Sequence, residues 1–371
     1  MSKIHVLYII DSLNIGGAEI QLCELVRCLK KRDYRVTVCY FTSGPLEREV
    51  NKIGAKGFRI ARLYKVDPLI IFRLCQIIRH DPPHIVHTQL FKSDFHGLIA
   101  ARLCKIPIVF SSLRNCDSWA QNPIYGRIYG VIINLADQLI ANSEDVRQYF
   151  IRYAKIQPDK IVTIHNGVDL HRFQNQEEPA KQVRKKLQIK EDAPLVTIVG
   201  RLAKQKDHGT FLSAAAKIAD TLPNVRFLVV GDGPMLQDLE KQIVKLKLER
   251  YVIFTGPRRD VPAIMTASNL IVLSSLWEGM PNVILEGMAA SRPIVATAVH
   301  GTKRIVDDGI TGLLVPPRNP DYLAQACIKV LKDNDLSARL GNAGRERVAM
   351  RYNIETKLQN VIDQYEYFLS R

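Results

Sequence analysis

The sequence has no apolar run long enough to span a bilayer. Its first apolar stretch, residues 4–10, is shorter than the core of a signal peptide and lacks a small-residue cleavage site. The seven cysteines are odd in number, form no Cys-x-x-Cys pair and lie mostly in apolar segments, which favours reduced, packed thiols over disulfides or zinc. These absences together predict a cytoplasmic protein.

The sequence also lacks the features of a nucleic-acid-binding protein. It has no run of five basic residues, and basic and aromatic residues do not interleave into a stacking surface. It nevertheless carries a net charge of +15, with 52 Lys and Arg against 37 Asp and Glu, and both halves of the chain are basic. A charge spread in this way fits a nucleotide diphosphate or an anionic membrane surface as partner, and not a nucleic acid.

The order of apolar patterns predicts an α/β protein of two domains. The 371 residues exceed what one hydrophobic core usually organises. Short β-branched runs alternate with segments of helical periodicity, which is typical of parallel sheets, and a polar stretch at residues 169–194 interrupts the alternation once. We therefore expect two Rossmann-like, doubly wound domains at residues 1–175 and 190–350, and a helix at residues 352–371 that packs back on the first domain.

Two strand-to-helix loops contain residues suited to a phosphate or a sugar. In DSLNIGGAE, residues 11–19, Gly16 and Gly17 let the backbone approach a ligand at a helix start, although a tight turn explains them equally well. In GRLAKQKDH, residues 200–208, Arg201 and Lys206 fit a diphosphate, with a solvated basic loop as the alternative.

The stretch SLWEGMPNVILEGMA, residues 275–289, places two carboxylates around the start of a predicted helix. Glu278 lies on the loop and Glu286 in the helix, and the first backbone N–H groups of that helix have no partner within it. The carboxylates repel phosphate, so we expect them to accept hydrogen bonds from ribose and sugar hydroxyls. We expect the same ligand to be contacted by the residues around the helix start, which are Gly279, Met280, Pro281, Asn282 and Val283.

An ordered set of motifs carries a family resemblance over nearly the whole chain. GGAE, NGVD, GRLxxQKD, GDGP and EGMPNVILEGMA resemble the family-four retaining glycosyltransferases of the GT-B architecture, and Glu278 and Glu286 match their E-x7-E signature. The resemblance implies two Rossmann-like domains facing a cleft, with a nucleotide-sugar donor held mainly by the second. It also implies transfer with retained anomeric configuration and no obligatory metal or other cofactor.

The resemblance also assigns roles by position. It implies that Arg201 and Lys206 hold the diphosphate and stabilise its charge, that Glu286 binds the ribose, and that Glu278 with the adjoining backbone binds the donor sugar. Gly17 would let the first-domain loop close on the donor. The leaving phosphate would accept the acceptor's proton on the same face of the sugar, with Glu278 as a covalent nucleophile being the less favoured alternative.

The chain departs from the family pattern after its fifth strand. Many relatives have a histidine there, and this chain has Leu113 or Arg114. We expect Arg114 to contact phosphate or sugar, and a capping or surface role is an equal alternative. His87, at the end of another strand, fits a packed or capping histidine better than a catalytic one.

The apolar segment at residues 66–80, with Arg73 and Arg79, fits either a membrane-docking helix or a helix that covers the sheet, and the second has the larger prior. The overall hypothesis is a retaining hexosyltransferase, acting in surface polysaccharide or glycolipid synthesis. It would transfer sugar to a glycan or lipid-linked acceptor in the cytoplasm, with or without docking on the membrane's cytoplasmic face. A GT-B-type nucleotide-sugar epimerase and a non-catalytic nucleotide-sugar-binding protein remain as alternatives.

Overall fold

The chain folds into two compact units. The computed structural model describes residues 3–61, 67, 69–116 and 121–371. The first unit comprises residues 1–166 and 356–371, and the second comprises residues 167–355. The C-terminal segment therefore belongs to the same unit as the N-terminus.

The described part of the first unit is built on a parallel sheet. Its strands are β1 (His5–Ser12), β2 (Arg35–Thr42), β3 (Lys56–Arg59), β4 (Ile85–Gln89), β5 (Ile108–Leu113), β6 (Gln138–Ala141) and β7 (Ile161–Thr163). Its helices are α1 (Gly17–Lys31), α2 (Glu47–Lys52), α3 (Leu69–His80), α4 (Phe91–Leu103), α5 (Pro123–Ile133) and α6 (Glu144–Tyr153). The strand order is β3-β2-β1-β4-β5-β6-β7, with parallel pairing throughout.

Burial on both faces explains why this sheet reads as continuous apolar runs in the sequence. One face packs under α3 to α6, in a core that contains Leu7, Leu74 and Leu98. On the other face, the hydroxyl of Tyr8 is hydrogen bonded to that of Tyr365 at 2.6 Å. Tyr365 lies on the last helix of the chain, which covers Ile354–Leu369. Central parallel strands covered on both sides have little room for polar residues.

The second unit repeats the plan with a smaller sheet. Its strands are β8 (Leu195–Val199), β9 (Arg226–Val230), β10 (Val252–Phe254), β11 (Leu270–Leu273), β12 (Ile294–Thr297) and β13 (Leu313–Val315). Its helices are α7 (Glu177–Lys186), α8 (His208–Thr221), α9 (Leu236–Lys245), α10 (Val261–Ala267), α11 (Asn282–Ala289), α12 (His300–Ile305), α13 (Pro320–Lys332) and α14 (Asn334–Arg351), and the C-terminal helix of the chain is α15. The strand order is β10-β9-β8-β11-β12-β13.

The prediction of two Rossmann-like, doubly wound domains is confirmed. The sequence patterns did not indicate two edge strands, β3 and β13, because these are short and only partly buried. Pro281, expected in the first turn of its helix, instead occupies the position just before it, with extended backbone angles. Among the described residues, no helix combines the length and the apolar character that a membrane crossing requires.

Candidate functional site

In the second unit, the sheet topology brings two of the singled-out loops together. The chain runs outward from β8 to β10 and then returns to pair β11 with β8 on its other side. Ligands of open parallel sheets bind where the strand order reverses in this way, beyond the carboxyl ends of the strands. The loop after β8 carries Arg201 and Lys206, and the loop after β11 carries Glu278, so these residues lie at the switch point.

Lys206 and Glu278 form the central contact of this site. The Nζ atom of Lys206 lies 2.5 Å from Oε1 of Glu278, and both side chains are largely buried, with 17% and 6% exposed. The hydroxyl of Ser275 donates to the same Oε1 atom at 2.6 Å. A buried charge is tolerated only when it is paired and hydrogen bonded, and each member of this cluster meets that need for another.

Hydrogen bonds to backbone carbonyl groups join the two loops around the ion pair. The N–H of Leu276 donates to the carbonyl of Gln205 at 2.8 Å. The side-chain amide of Gln205 donates to the carbonyl of Trp277 at 2.9 Å, and the Ser274 hydroxyl donates to the carbonyl of Lys206 at 2.8 Å. The two loops therefore act as one rigid element, and the position of the Lys206 ammonium is fixed from both sides.

The turn that carries Lys206 ends in a left-handed residue. Residues Lys204–Lys206 form a short 3₁₀ turn, and Asp207 follows it with φ of 44°. Asp207 then caps helix α8, because its carboxylate accepts a hydrogen bond from the backbone N–H of Thr210 at 3.4 Å. The same carboxylate also accepts a hydrogen bond from the Thr210 hydroxyl at 2.7 Å. Aspartate tolerates this backbone region better than most residues, since its short side chain bonds locally.

The GDGP motif supports the Arg201 loop from below. Gly231 has φ of 137°, and a Cβ atom there would lie 2.0 Å from the carbonyl oxygen of Gly200. Beyond this close approach, the N–H of Leu202 donates to the carbonyl of Asp232 at 2.9 Å. The side chain of Arg201 is exposed, and the contacts with the GDGP turn hold the backbone that carries it. These contacts explain the GDGP motif as a structural support of the Arg201 loop.

The segment from Gly279 to Val283 forms the start of α11. Gly279, Met280, Pro281 and Val283 are buried, whereas Asn282 is half-buried. The next helix, α12, packs directly on this segment, since a Cβ atom on Gly301 would lie 2.7 Å from the carbonyl oxygens of both Glu278 and Gly279. The backbone N–H groups at the start of α11 are thus held in place by contacts on the carbonyl side of the loop.

Glu286, one turn into α11, has an unusual ionisation. Burial raises the pKa of its carboxyl group to about 7, although the positive charge of Arg172 acts in the opposite direction. Near neutral pH this carboxyl group is close to half protonated. A ligand that donates hydrogen bonds to it would favour the ionised form.

The first unit has its own switch point, between β1 and β4. Gly16 precedes α1 with extended backbone, and Gly17 is the first residue of that helix. A side chain on Gly16 would require the Glu19 carboxylate to move, and that carboxylate accepts a hydrogen bond from the Ser12 hydroxyl at 2.9 Å. Burial raises the pKa of Glu19, and the charge of Arg114 partly offsets this rise.

Arg114 follows β5 and points into the same region of the first unit. Its Nη2 and Nε atoms donate to Oε1 of Gln89 at 2.6 and 3.0 Å, and Nη1 donates to Oδ1 of Asn166 at 3.3 Å. Burial lowers the pKa of Arg114 to about 10, against the effect of Glu19. Leu113, the other residue considered for this position, is the last residue of β5 and is packed in the core.

Behind Arg114 lies a small cavity of about 10 Å³, with room for about one water molecule. The buried Lys357 lines it and donates a hydrogen bond to Gln21, and Oδ1 of Asn142 has no partner among the described residues. His87 also lines it, bonded to the Tyr365 hydroxyl at 2.5 Å and to the Ser112 hydroxyl at 2.8 Å. Burial, with the charges of Arg114 and Lys357, lowers the pKa of His87 to about 3, so it is a neutral, packed histidine.

Several residues of these two sites were absent from the sequence-based set. Ser275 and Glu19 belong to quoted motifs, and their proximity to the predicted residues in the chain was an available signal. The sequence gives no such signal for Lys357, because it is buried only by the return of the last helix to the first unit.

The segment at residues 66–80 includes α3, which buries Ile70, Leu74 and Ile78 against the sheet. Residues 66 and 68 of this segment lie outside the described residues.

The chain contains one Asp-x-Asp triplet, Asp333-Asn334-Asp335, a pattern often associated with divalent metals. Asp333 there caps helix α14, since its Oδ1 accepts a hydrogen bond from the N–H of Leu336 at 2.8 Å. Within the part of the chain that the structure describes, no three His, Cys, Asp or Glu side chains group into a metal site.

The Lys206–Glu278 pair has a testable effect on stability. We expect Lys206→Met to lower the free energy of unfolding by about 3 kcal/mol, because it leaves a buried carboxylate without its counter-charge. The double variant Lys206→Met with Glu278→Gln should recover most of that loss, since a neutral amide still accepts from Ser275. Calorimetric unfolding of the three proteins measures this, and equal losses in both variants would contradict a charge-pairing role.

Comparison with known proteins agrees with this arrangement. Residues 15–172 match the family model described as Glycosyltransferase Family 4, and residues 179–347 match the one described as Glycosyl transferases group 1. The chain is 26% identical, over 98% of its length and 97% of the relative's, to the UDP-Gal:alpha-D-GlcNAc-diphosphoundecaprenol alpha-1,3-galactosyltransferase of Escherichia coli. It is 29% identical to the 2-deoxystreptamine glucosyltransferase of Streptomyces kanamyceticus, over 92% and 91% of the two chains.

Solved structures show the same fold at lower identity. The crystal structure of HepE from Anabaena in complex with UDP and glucose covers 98% of this chain and 100% of its own, with a TM-score of 0.89 and 22% identity. WaaG, a glycosyltransferase involved in lipopolysaccharide biosynthesis, covers 95% and 98%, with a TM-score of 0.77 and 17% identity. These similarities identify the chain as a glycosyltransferase, whose first half is similar to the Glycosyltransferase Family 4 model and whose second half is similar to the Glycosyl transferases group 1 model.

Proposed function

We propose that this glycosyltransferase moves a hexose from a nucleotide diphosphate sugar to a glycan or lipid-linked acceptor, with retention of the anomeric configuration. The observation that carries the proposal is the cluster of Lys206, Glu278 and Ser275 at the switch point of the second unit, beside the exposed Arg201. Two cations beside the start of a helix suit a diphosphate, and the nearby carboxylates suit hydroxyl groups.

The diphosphate is assigned to Arg201 and Lys206. Arg201 is exposed and offers a planar fork of donors, whereas Lys206 offers a point charge whose place is fixed by Glu278. Negative charge grows on the leaving diphosphate as the bond to the sugar breaks, and fixed cations stabilise that charge. Because these side chains supply positive charge, we propose that the reaction requires no metal ion.

The sugar and the ribose are assigned to the carboxylates. Glu278 accepts hydrogen bonds from the donor sugar's hydroxyls, and the backbone N–H groups in the segment from Gly279 to Asn282 donate to the sugar's oxygens. Val283 is the last residue of this contact. Glu286, which lies in α11, accepts hydrogen bonds from the ribose hydroxyls. In the first unit, Gly16 and Gly17 allow close backbone approach and Arg114 binds a phosphate or sugar group. The half-buried guanidinium of Arg114 has neutral partners in Gln89 and Asn166, so its charge is available to an anion.

Retention follows from a same-face exchange. The bond from the anomeric carbon to the diphosphate oxygen breaks, and the acceptor hydroxyl forms its bond to that carbon on the same face. The proton of the acceptor passes to the departing phosphate oxygen. Lys206 and Arg201 hold that phosphate close to the reacting carbon during the exchange, so no protein nucleophile is needed.

The name of one relative and the state of the cysteines support a proposal for the acceptor and the cellular site. The Escherichia coli relative is named for a diphosphoundecaprenol-linked substrate, which favours a lipid-linked acceptor in surface polysaccharide or glycolipid synthesis. None of the seven cysteines forms a disulfide in the structure, which suits the reducing cytoplasm. We therefore place the reaction on the cytoplasmic side of a membrane.

The configuration of the product tests the proposed chemistry. With a UDP-α-hexose and a lipid-linked sugar acceptor, we expect an α-linked product by proton NMR, formed equally well in EDTA. Lys206→Ala and Arg201→Ala should each lower kcat by about 100-fold, as removal of a charge-stabilising donor does. Lys204→Ala, an exposed neighbour in the same turn, serves as the control and should change kcat far less. A β-linked product would contradict the same-face exchange.

The ionisation of Glu286 predicts a pH dependence of donor binding. The ribose hydroxyls gain two good hydrogen bonds only when the Glu286 carboxylate is ionised. In the free protein the pKa of Glu286 is raised to about 7, so below that pH the ligand must first displace a proton. The affinity for UDP-glucose should therefore rise with pH up to about pH 7 and stay level above it. Below pH 7 the affinity should fall by up to about tenfold for each unit of pH. Isothermal calorimetry across this range measures it.

Two variants serve as controls for this dependence. Glu286→Gln removes the titrating group, so its affinity should be weaker and nearly independent of pH. Glu249→Gln removes an exposed carboxylate from the same unit and should keep the parent's profile. A parent protein whose affinity does not change between mildly acidic and mildly basic pH would exclude Glu286 from the ribose contact.

A further inference from the structure

An apolar surface on the first unit is open to solvent. Helices α3, α4 and α5 cover one face of the seven-stranded sheet, and α4 packs between the other two. Their inner sides belong to the unit's main core. Their outer sides would ordinarily be polar in a water-soluble domain.

Helix α5 is the clearest exception to that rule. Its sequence PIYGRIYGVII contains one charged residue, and its inner face is made by Gly126, Tyr129, Gly130 and Ile133. Its outer face carries Ile124, Ile128 and Val131, which are 68%, 55% and 69% exposed. These positions are four and three residues apart, so the three side chains form one continuous apolar stripe along the helix.

Exposed apolar side chains also lie on the two neighbouring helices. Leu69 and Phe72 on α3 are exposed, as is Phe95 on α4. All three lie in the first turns of their helices, and α4 starts two residues after β4 ends at Gln89. This outer surface of α3, α4 and α5, called here the helical apolar surface, therefore reaches toward the sheet edge where Gln89 and Arg114 lie.

The charges of the helical apolar surface are almost all positive. Its exposed cations are Arg79 on α3, Lys92 on α4 and Arg127 on α5. The three helices contain one acidic residue, Asp94, and it is buried, with hydrogen bonds from the Ser111 hydroxyl at 2.7 Å and from the Thr88 and Tyr129 hydroxyls at 2.5 Å. The solvent-exposed surface therefore consists of apolar side chains with positively charged side chains beside them.

We infer that the helical apolar surface docks the protein on an anionic lipid bilayer. Helices with an apolar face flanked by Lys and Arg lie in the interface, with the apolar side chains among the acyl chains and the cations at the headgroups. A second copy of the chain fits less well, because a two-fold contact of this surface with itself would bring like charges together. The segment at residues 66–80 contributes Leu69 and Phe72, and α5 contributes the larger part.

This inference deepens the proposed function, and its link to the acceptor rests on that function. A protein that lies on the bilayer through α3, α4 and α5 keeps the carboxyl edge of its first sheet close to the headgroups. A sugar carried on a membrane lipid would then meet the region of Arg114 without leaving the membrane surface. The docking itself depends only on the outer faces of the three helices.

Vesicle binding of the full chain tests the docking. We expect it to sediment with vesicles of phosphatidylglycerol and phosphatidylcholine in equal parts, and much less with phosphatidylcholine alone. The triple variant Ile124→Ser, Ile128→Ser, Val131→Ser should lose about tenfold or more in vesicle affinity. The triple variant Arg79→Gln, Lys92→Gln, Arg127→Gln should lose a similar factor at low salt and less at high salt.

Controls separate docking from misfolding and from the donor site. The double variant Val244→Ser, Met350→Ser removes two apolar side chains of the second unit that are 61% and 78% exposed, and it should bind vesicles like the parent. The α5 variant, the charge variant and the Val244/Met350 variant should each keep the parent's melting temperature and its UDP-glucose affinity. Lys206→Ala should bind vesicles normally while it loses transfer, so a failure of the proposed function is distinguishable from a failure of docking.

Three results would overturn the inference. The parent protein could fail to bind anionic vesicles, or the α5 variant could bind them as well as the parent. The parent could also elute as a dimer that the α5 variant converts to a monomer, with no vesicle binding by either. That last outcome would assign the helical apolar surface to a second copy of the chain.

Discussion

The buried ion pair between Lys206 and Glu278 is the interaction on which the candidate donor site depends. Neither charge is stable in that environment alone, so each fixes the other, and Ser275 satisfies a further part of the carboxylate. Because the two residues come from the loops after β8 and β11, their contact joins the two strands at the point where the sheet order reverses. The cation offered to a ligand is therefore placed in advance, and little reorganisation is needed when charge develops.

The surrounding backbone is built to hold that pair. Gly231 lets the GDGP turn touch Gly200, and Gly301 lets α12 touch the loop of Glu278. Asp207 adopts a left-handed conformation that ends the turn of Lys206 and starts α8. Side chains at the two glycines would push these segments apart, so the site requires close backbone packing on both sides. In contrast, Arg201 stays exposed and is available to a ligand.

Periodicity in the sequence predicted the two doubly wound domains, because buried parallel strands leave long apolar runs that recur between helices. It did not indicate β3 and β13, whose three or four residues at the sheet edges are too few for a pattern. The motifs pointed to Lys206 and Glu278 separately, but their contact joins positions 72 residues apart and needed the strand order. The sequence could not predict the burial of Lys357, which depends on where the last helix packs. It could not predict the exposure of α5 either, because the sequence of an apolar helix does not show whether its outer face contacts the core or solvent.

Ligand-induced stabilisation tests most directly whether the second unit's switch point is a nucleotide-sugar site. The melting temperature of the parent chain would be measured with UDP, GDP, ADP and their sugars, beside Arg201→Ala and Glu286→Ala. A ligand that binds only the folded state raises that temperature, so the account predicts a rise with one nucleotide and its loss in both variants. No rise with any of them, or a rise that survives in both variants, would contradict the assignment.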